Sequence, residues 1–241
     1  MNFTLEVIAF NIDSCILAEE AGAHRIELCD NAGEGGTTPS SGFIESARAA
    51  VSLQLFPIIR PRGGDFLYSD AEFEIMKKDI LVCKSIGCDG IVTGILQADG
   101  RIDKKRISQL VTLAYPMSVT FHRAFDRALN AADALEDVIE TGCERILTSG
   151  QVPLAENGTG LIAELIKKAE QRIIIMPGSG IRANNILSIA QQTGATEFHS
   201  SARIFTESNM NFHNERMNEK LQSVCLDVVE VKAMIFALSE Q

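Results

Sequence analysis

The sequence predicts a single (β/α)8 TIM barrel, an α/β fold spanning residues 1–241 as one domain. Three observations lead there: a turn motif that recurs along the chain, eight apolar runs at near-even spacing, and a composition suited to buried parallel strands. Gly22-Ala-His-Arg, Gly87-Cys-Asp-Gly, Gly142-Cys-Glu-Arg and Gly194-Ala-Thr-Glu each stand before an apolar run. Glycine fits the left-handed position that closes a helix, so the run after it is the next strand. The eight runs start between residues 4 and 197, a spacing of about 28 residues, which leaves room for one strand and one crossover helix. The chain length, 241 residues, is near the ~250 typical of this barrel. Hydrophobic residues make up 46% of the chain but aromatics only 6%. The apolar content is therefore mainly Ile, Leu, Val and Ala, which strands buried on both faces require. A doubly wound sheet is the alternative, and eight regular units favour closure.

In chain order the predicted strands are 4–9, 25–30, 55–61, 90–96, 117–125, 145–150, 172–180 and 197–202. The segments between them read as helices. The clearest is 69–86, where Ser69 and Glu72 form a capping box and Phe73, Met76, Ile80 and Cys83 share one face. Segments 13–22, 130–141, 183–193 and 228–238 follow the same pattern. Segments 31–40, 63–68 and 203–227 are longer than ordinary connections, and long loops at strand ends are where barrels keep their chemistry. Residues 203–227 read as a polar loop before the last helix, either a lid over the mouth or an arm of a homo-oligomer.

The formal net charge of −10 argues against a nucleic-acid partner or an anionic membrane surface. No apolar run approaches the ~20 residues that span a bilayer. The first residues lack the basic start and apolar core of a signal peptide. Six scattered cysteines without a disulfide pattern then point to a reducing cytoplasm. The expected partner is a small molecule or a metal ion.

Charge interrupts several strands at alternate positions: Glu6 in the first, Glu27 and Cys29 in the second, Arg60 and Arg62 in the third. Thr120 and His122 do so in the fifth, and Glu197 and His199 in the eighth. Period two puts each set on one face, and the helices claim the other, so these side chains point into the barrel. They form either a satisfied ion network or a pocket for acid–base work. The catalytic candidates are Glu6, Glu27, Arg60, Arg62, Asp65, His122, Asp126 and His199. An anion site is expected where the seventh and eighth strands end, from Gly178, Ser179, Gly180, Ser201 and Arg203, because barrels often hold phosphate there. The competing reading of that stretch is a tight turn that needs glycine for its geometry.

Several stretches together resemble the CutC family: Arg25-Ile-Glu-Leu-Cys29, Glu34-Gly-Gly-Thr-Thr-Pro39 and Arg60-Pro-Arg-Gly-Gly-Asp-Phe-Leu-Tyr-Ser-Asp70. Val119-Thr-Phe-His-Arg-Ala-Phe-Asp126, Arg145-Ile-Leu-Thr-Ser-Gly150, Met176-Pro-Gly-Ser-Gly180 and Glu197-Phe-His-Ser-Ser-Ala-Arg203 continue the match. The resemblance implies a cytoplasmic TIM barrel associated with copper homeostasis and copper binding. Two positions depart from the family pattern. Ser179 stands where a third glycine is common, and Ser200 where a cysteine is common, which removes a soft donor. Cys29, His122 and His199 are the candidate copper ligands, although Cu(I) favours sulfur and no ligand spacing is recognisable. An enzyme acting on a small anionic or phosphorylated molecule accounts for more of the polar residues, and a non-catalytic binding protein is the third reading.

Overall fold

The computed structural model describes residues 3–239. Eight parallel strands alternate with helices in the predicted order. They are β1 (Thr4–Ala9), β2 (Arg25–Leu28), β3 (Gln54–Pro57), β4 (Gly90–Thr93), β5 (Ser118–Phe121), β6 (Arg145–Thr148), β7 (Ile174–Pro177) and β8 (Glu197–Ser200). The helices are α1 (Ile12–Ala21), α2 (Ser41–Ala50), α3 (Asp70–Ile86), α4 (Lys104–Ala114), α5 (Ala131–Thr141), α6 (Thr159–Ala169), α7 (Ile186–Thr193) and α8 (Val228–Ser239). The four repeat glycines close α1, α3, α5 and α7 with φ of 87°, 83°, 84° and 74°, a conformation that a Cβ would strain. Ser69 and Glu72 form the expected capping box at the start of α3.

Two four-stranded parallel ladders, β3-β2-β1-β8 and β4-β5-β6-β7, make up the (β/α)8 barrel. At one seam Ile58 bridges Val92, and Ile59 N–H donates to Val92 O at 2.7 Å. At the other seam β7 lies beside β8, and Gly178 packs so close to His199 that a Cβ would come within 3.3 Å of it. Most of the hydrophobic core lies between barrel and helices, where residues such as Leu5, Val7, Ile26, Ile91, Val119 and Ile146 are sealed. A small second cluster, Cys29, Phe56, Ile58 and Val92, fills part of the barrel interior. The Phe56 ring occupies the space opposite Gly90, where a Cβ would sit 2.4 Å from it.

Three differences from the sequence reading matter for the site. Seven of the eight strands leave the ladder earlier than expected, so the last polar residue of each expected run sits in a connecting loop. His122, for example, caps a 3-10 turn over Arg123–Arg127 instead of ending a strand. Helix α7 begins at Ile186, not at 183, because the chain from Ile181 to Asn185 is irregular. Segment 203–227 is not simply a loop: β9 (Arg203–Thr206) and β10 (Ser223–Leu226) pair antiparallel into a ribbon. Phe205, Met210, Phe212 and Met217 are exposed along it and its tip. Among the described residues no helix is long and apolar enough to cross a membrane.

Candidate functional site

The inward face of the strands carries a chain of ion pairs. Arg25, 2% exposed, donates through Nε to Glu6 at 2.5 Å and through Nη2 to Glu197 at 2.6 Å. Glu197 also accepts from Arg145 Nε at 2.6 Å. Arg145 Nη1 reaches Thr120 Oγ1 at 3.3 Å, and both guanidiniums lie over the Phe56 ring, at 5.1 and 5.8 Å. These charges are buried, and each has an opposite charge in hydrogen-bond contact, the condition under which burial is tolerated.

Above them sits a second group. His199 Nδ1 lies 2.7 Å from the free oxygen of Glu6, and His199 Nε2 lies 3.6 Å from Glu27 Oε2. Burial favours the neutral form of Glu6, yet Arg25 and His199 overcome it and hold the carboxyl down at about 2. Burial pushes Glu27 the other way, up to about 7, and outweighs the pull of His199, because the Glu6 carboxylate adds to the rise. Burial works against the charged form of His199, but the two carboxylates outweigh it and raise its affinity for a proton.

Glu27 and His199 open onto a cavity of about 280 Å³ at the C-terminal ends of the strands. Arg60, Phe66, His122 and Arg123, which follow β3 and β5, line it together with Ser179, Gly180, Ser201 and Arg203, which follow β7 and β8. Arg60 Nη1 donates to Glu34 O and Gly36 O, both at 2.7 Å, and Nη2 to Gly64 O at 3.0 Å, tying together the loops after β2 and β3. Its Nε is buried without a partner, as is Nε2 of His122. Burial and the Arg60 and Arg127 guanidiniums push the His122 imidazole down to about 3, so the ring is neutral at ordinary pH.

The fold thus gathers Glu27, Arg60, His122, His199, Ser179, Gly180, Ser201 and Arg203 at one mouth, with Glu6 directly beneath. It sends others elsewhere. Arg62 does not face the cavity: it pairs with Asp65 at 2.9 Å and Glu72 at 2.6 Å and is 38% exposed. Period two cannot carry Arg62 inward because β3 ends at Pro57. Asp65, 71% exposed, is likewise a surface residue. Asp126 lies outside the cavity and organises the loop after β6. It accepts from Arg123 Nε at 2.7 Å, Thr148 Oγ1 at 2.5 Å and the Ser149 and Gln151 amides. Gly178 is tied to the sheet through Thr148 O at 2.9 Å, so its N–H is not free for an anion. Ser179 takes φ of 80°, the left-handed conformation in which a glycine would be unstrained. Ser200 faces away from the pocket and donates to Ile181 O at 2.7 Å, so a thiol at that position would not meet His199.

The expected copper set is not assembled. Among the described residues the cluster with ligand atoms within 4.8 Å of one another is Glu6, Glu27 and His199, not Cys29, His122 and His199. Cys29 packs in the inner apolar cluster, and burial with the Glu27 and Glu6 carboxylates keeps its thiol well above the usual range. Two carboxylates and an imidazole are a hard donor set, and Glu6 and His199 already bind each other, so these residues do not fit Cu(I). Sequence reasoning named Glu197 but missed its partners Arg25 and Arg145. Both are the last residue of a repeat turn, and Arg25 shares the parity of Glu27, so the signal was present.

A parallel barrel with charge paired along its axis and an open polar cavity at its C-terminal face is the architecture of the ligand-binding and catalytic (β/α)8 proteins. The model of the CutC family matches residues 3–204, and the chain belongs to that family. A CutC family protein of Chromobacterium violaceum is 52% identical over 212 residues, 88% of this chain and 86% of its own. The human copper homeostasis protein cutC homolog is 48% identical over 212 residues, covering 88% of this chain and 78% of its own. The crystal structure of CutC from Streptococcus agalactiae superposes with a TM-score of 0.79 at 34% identity, over 83% of this chain and 98% of that one.

Proposed function

We propose that this chain is an enzyme of the CutC family that carries out acid–base chemistry on a small anionic molecule held in the barrel mouth. The observation that carries the reading is Glu27. A fully buried carboxyl raised to about 7 opens onto a cavity and stands 3.6 Å from a histidine that another carboxylate holds in place. Such a group exchanges protons near neutrality. In this reading Glu27 donates and accepts the proton, His199 sets its charge state, and Glu6 orients His199. Arg60 and Arg203 supply the positive potential that a net charge of −10 otherwise withholds, Arg123 being already paired with Asp126. The six cysteines, all free and five of them buried, fit a reducing cytoplasmic setting. The test is carboxyl-carbon NMR on the purified protein, together with titration by inorganic phosphate. Glu27 is expected to titrate near neutrality and to shift when phosphate binds. Titration at the ordinary carboxylate pH, with no phosphate bound at the mouth, overturns the proposal.

A second reading, a part in copper homeostasis, comes from the names of the human and mouse relatives. The donor set at the mouth favours harder cations over Cu(I), so in this reading copper acts through another partner or another surface. Competition against a Cu(I) chelator, with Cys29→Ser in parallel, decides it: stoichiometric binding lost in that variant favours the copper reading.

A further inference from the structure

His122 uses one ring nitrogen within its own loop and leaves the other buried without a partner, in a residue that lines the cavity. Its Nδ1 accepts the Ala124 N–H at 3.2 Å. A ring nitrogen that accepts carries no hydrogen, so in the neutral ring the hydrogen is on Nε2. That Nε2–H is buried, has no partner, and belongs to a residue lining the cavity. The ring is held in place: Phe66 packs on it at 4.7 Å between centroids, and Phe121 meets it edge-on at 6.1 Å. Gly94 makes the room, since a Cβ there would lie 2.5 Å from Nδ1. A fixed, neutral donor waiting for an acceptor is a poor proton shuttle. It is well suited to an oxygen on which negative charge develops.

We infer that the ligand of this pocket is a small carbonyl compound bearing a phosphate or carboxylate, and that its carbonyl oxygen accepts a hydrogen bond from His122 Nε2. The inference rests on the reading of Glu27 as the proton-transfer group and adds the substrate class and the role of the imidazole. The step it describes balances without a co-reactant. Ionised Glu27 takes a proton from the carbon next to the carbonyl. The C–H pair becomes the C=C bond, and the carbonyl π pair moves to oxygen, giving an enolate that the Nε2–H stabilises. Return of the proton to the same carbon restores the carbonyl and regenerates the carboxylate. Where that carbon bears a hydroxyl, the hydroxyl proton passes to the enolate oxygen, the carbonyl moves to the hydroxyl-bearing carbon, and Glu27 returns its proton to the former carbonyl carbon. The anionic end lies toward Arg203, Ser201 and the Ser179–Gly180 turn, which line the same cavity as His122. Reactions that supply or consume such a molecule are isomerisations, epimerisations and aldol-type cleavages, all of which pass through an enolate.

Phosphoglycolohydroxamate, a planar enediolate mimic with a phosphate, is the probe, and oxalate is its carboxylate counterpart. Protein labelled with 15N-histidine is titrated with each, alongside inorganic phosphate. The expected result is a downfield shift of the His122 Nε2–H resonance with the hydroxamate or oxalate and none with phosphate alone. The variant His122→Phe is expected to bind the responding mimic roughly 10- to 100-fold more weakly, and His122→Gln, which keeps a donor, to recover part of that loss. If His122→Phe does not fold, the resonance shift and the His122→Gln comparison still decide. A mimic that binds with the His122 resonance unmoved and the affinity unchanged in both variants overturns this inference while leaving Glu27 and anion binding intact. Failure of phosphate and both mimics to bind removes the proposed function as well.

Discussion

At the lower end of the barrel interior Arg25 joins Glu6 to Glu197, and Glu197 holds Arg145, so each charge has a partner within 2.6 Å. At the upper end His122 Nε2 and Arg60 Nε are buried with none, and Glu27 meets its nearest cation only at 3.6 Å. Both sets contain guanidinium and carboxylate groups, the upper adding histidine, and the burial is similar. The lower set satisfies itself and closes the barrel floor, where a phenylalanine lies under two guanidiniums. The upper set leaves two buried donors unpaired and a proton-binding carboxyl, all in residues that line a cavity. A protein bears unsatisfied buried polar groups where a ligand completes them, so the contrast separates structure from function within one barrel axis.

The largest expected effect lies in the lower set. Replacing Arg25 by Met leaves Glu6 and Glu197 buried without their shared cation, and the chain is expected to lose about 3–5 kcal/mol of stability. Denaturant unfolding measures it, and Glu6→Gln added to Arg25→Met should restore part of the loss. A change below about 1 kcal/mol in the single variant would break the comparison, because the floor would then not be held by its ion pairs. Next comes Asp126, which closes the loop after β6 through four groups. Its replacement by Ala strands the Thr148 hydroxyl and the Ser149 amide and should cost about 2–3 kcal/mol, with the loop losing amide protection in hydrogen exchange.

The sequence made the scaffold legible and the wiring only partly so. The repeat glycines located α1, α3, α5 and α7 to within a few residues because a left-handed helix end leaves a chemical mark. Period two sorted Glu6, Glu27 and His199 inward correctly because parallel strands have two distinct faces. It failed at Arg62, where the ladder had already ended; it placed Cys29 inward correctly, but there the thiol packs in an apolar cluster and not with the histidines. Arg25 and Arg145 went unremarked because each opens its strand, where a charge looks like a solvated end. The β9–β10 ribbon was hidden by a polar stretch whose pairing is set by its neighbour strand alone.

The upper set predicts opposed pH slopes. His122 has a folded pKa lowered to about 3, below its unfolded value near 6.5, so its contribution is complete above that value and is lost as pH falls. Glu27 has a folded pKa raised to about 7, above its unfolded value near 4.5, so its contribution is complete below 4.5 and is lost as pH rises. Between the two unfolded values each contributes a slope of up to about 1.4 kcal/mol per pH unit, with opposite sign. The unmodified chain should therefore be nearly flat there. His122→Gln should lose stability as pH rises, and Glu27→Gln should gain it. Urea midpoints at three pH values test this, and slopes of the same sign in both variants would contradict the assigned charge states.

The smallest effect is expected at Arg62 and Asp65, where the sequence suggested ligand recognition. Their side chains pair with each other in solvent, and Arg62 also pairs with Glu72 at the start of α3 and covers the Tyr68 ring at 5.2 Å. Exposed pairs of this kind contribute about 0–1 kcal/mol, since water screens the charges and ordering two long side chains costs entropy. Asp65→Ala should fall within about 0.5 kcal/mol of the parent, and Arg62→Ala slightly lower because it also uncovers the tyrosine. Neither should alter phosphate binding at the mouth, because neither side chain lines that cavity. A tenfold loss of phosphate affinity in Arg62→Ala, with stability unchanged, would mean that the loop after β3 turns Arg62 inward when ligand binds. The boundary between the structural and functional sets would then include that loop.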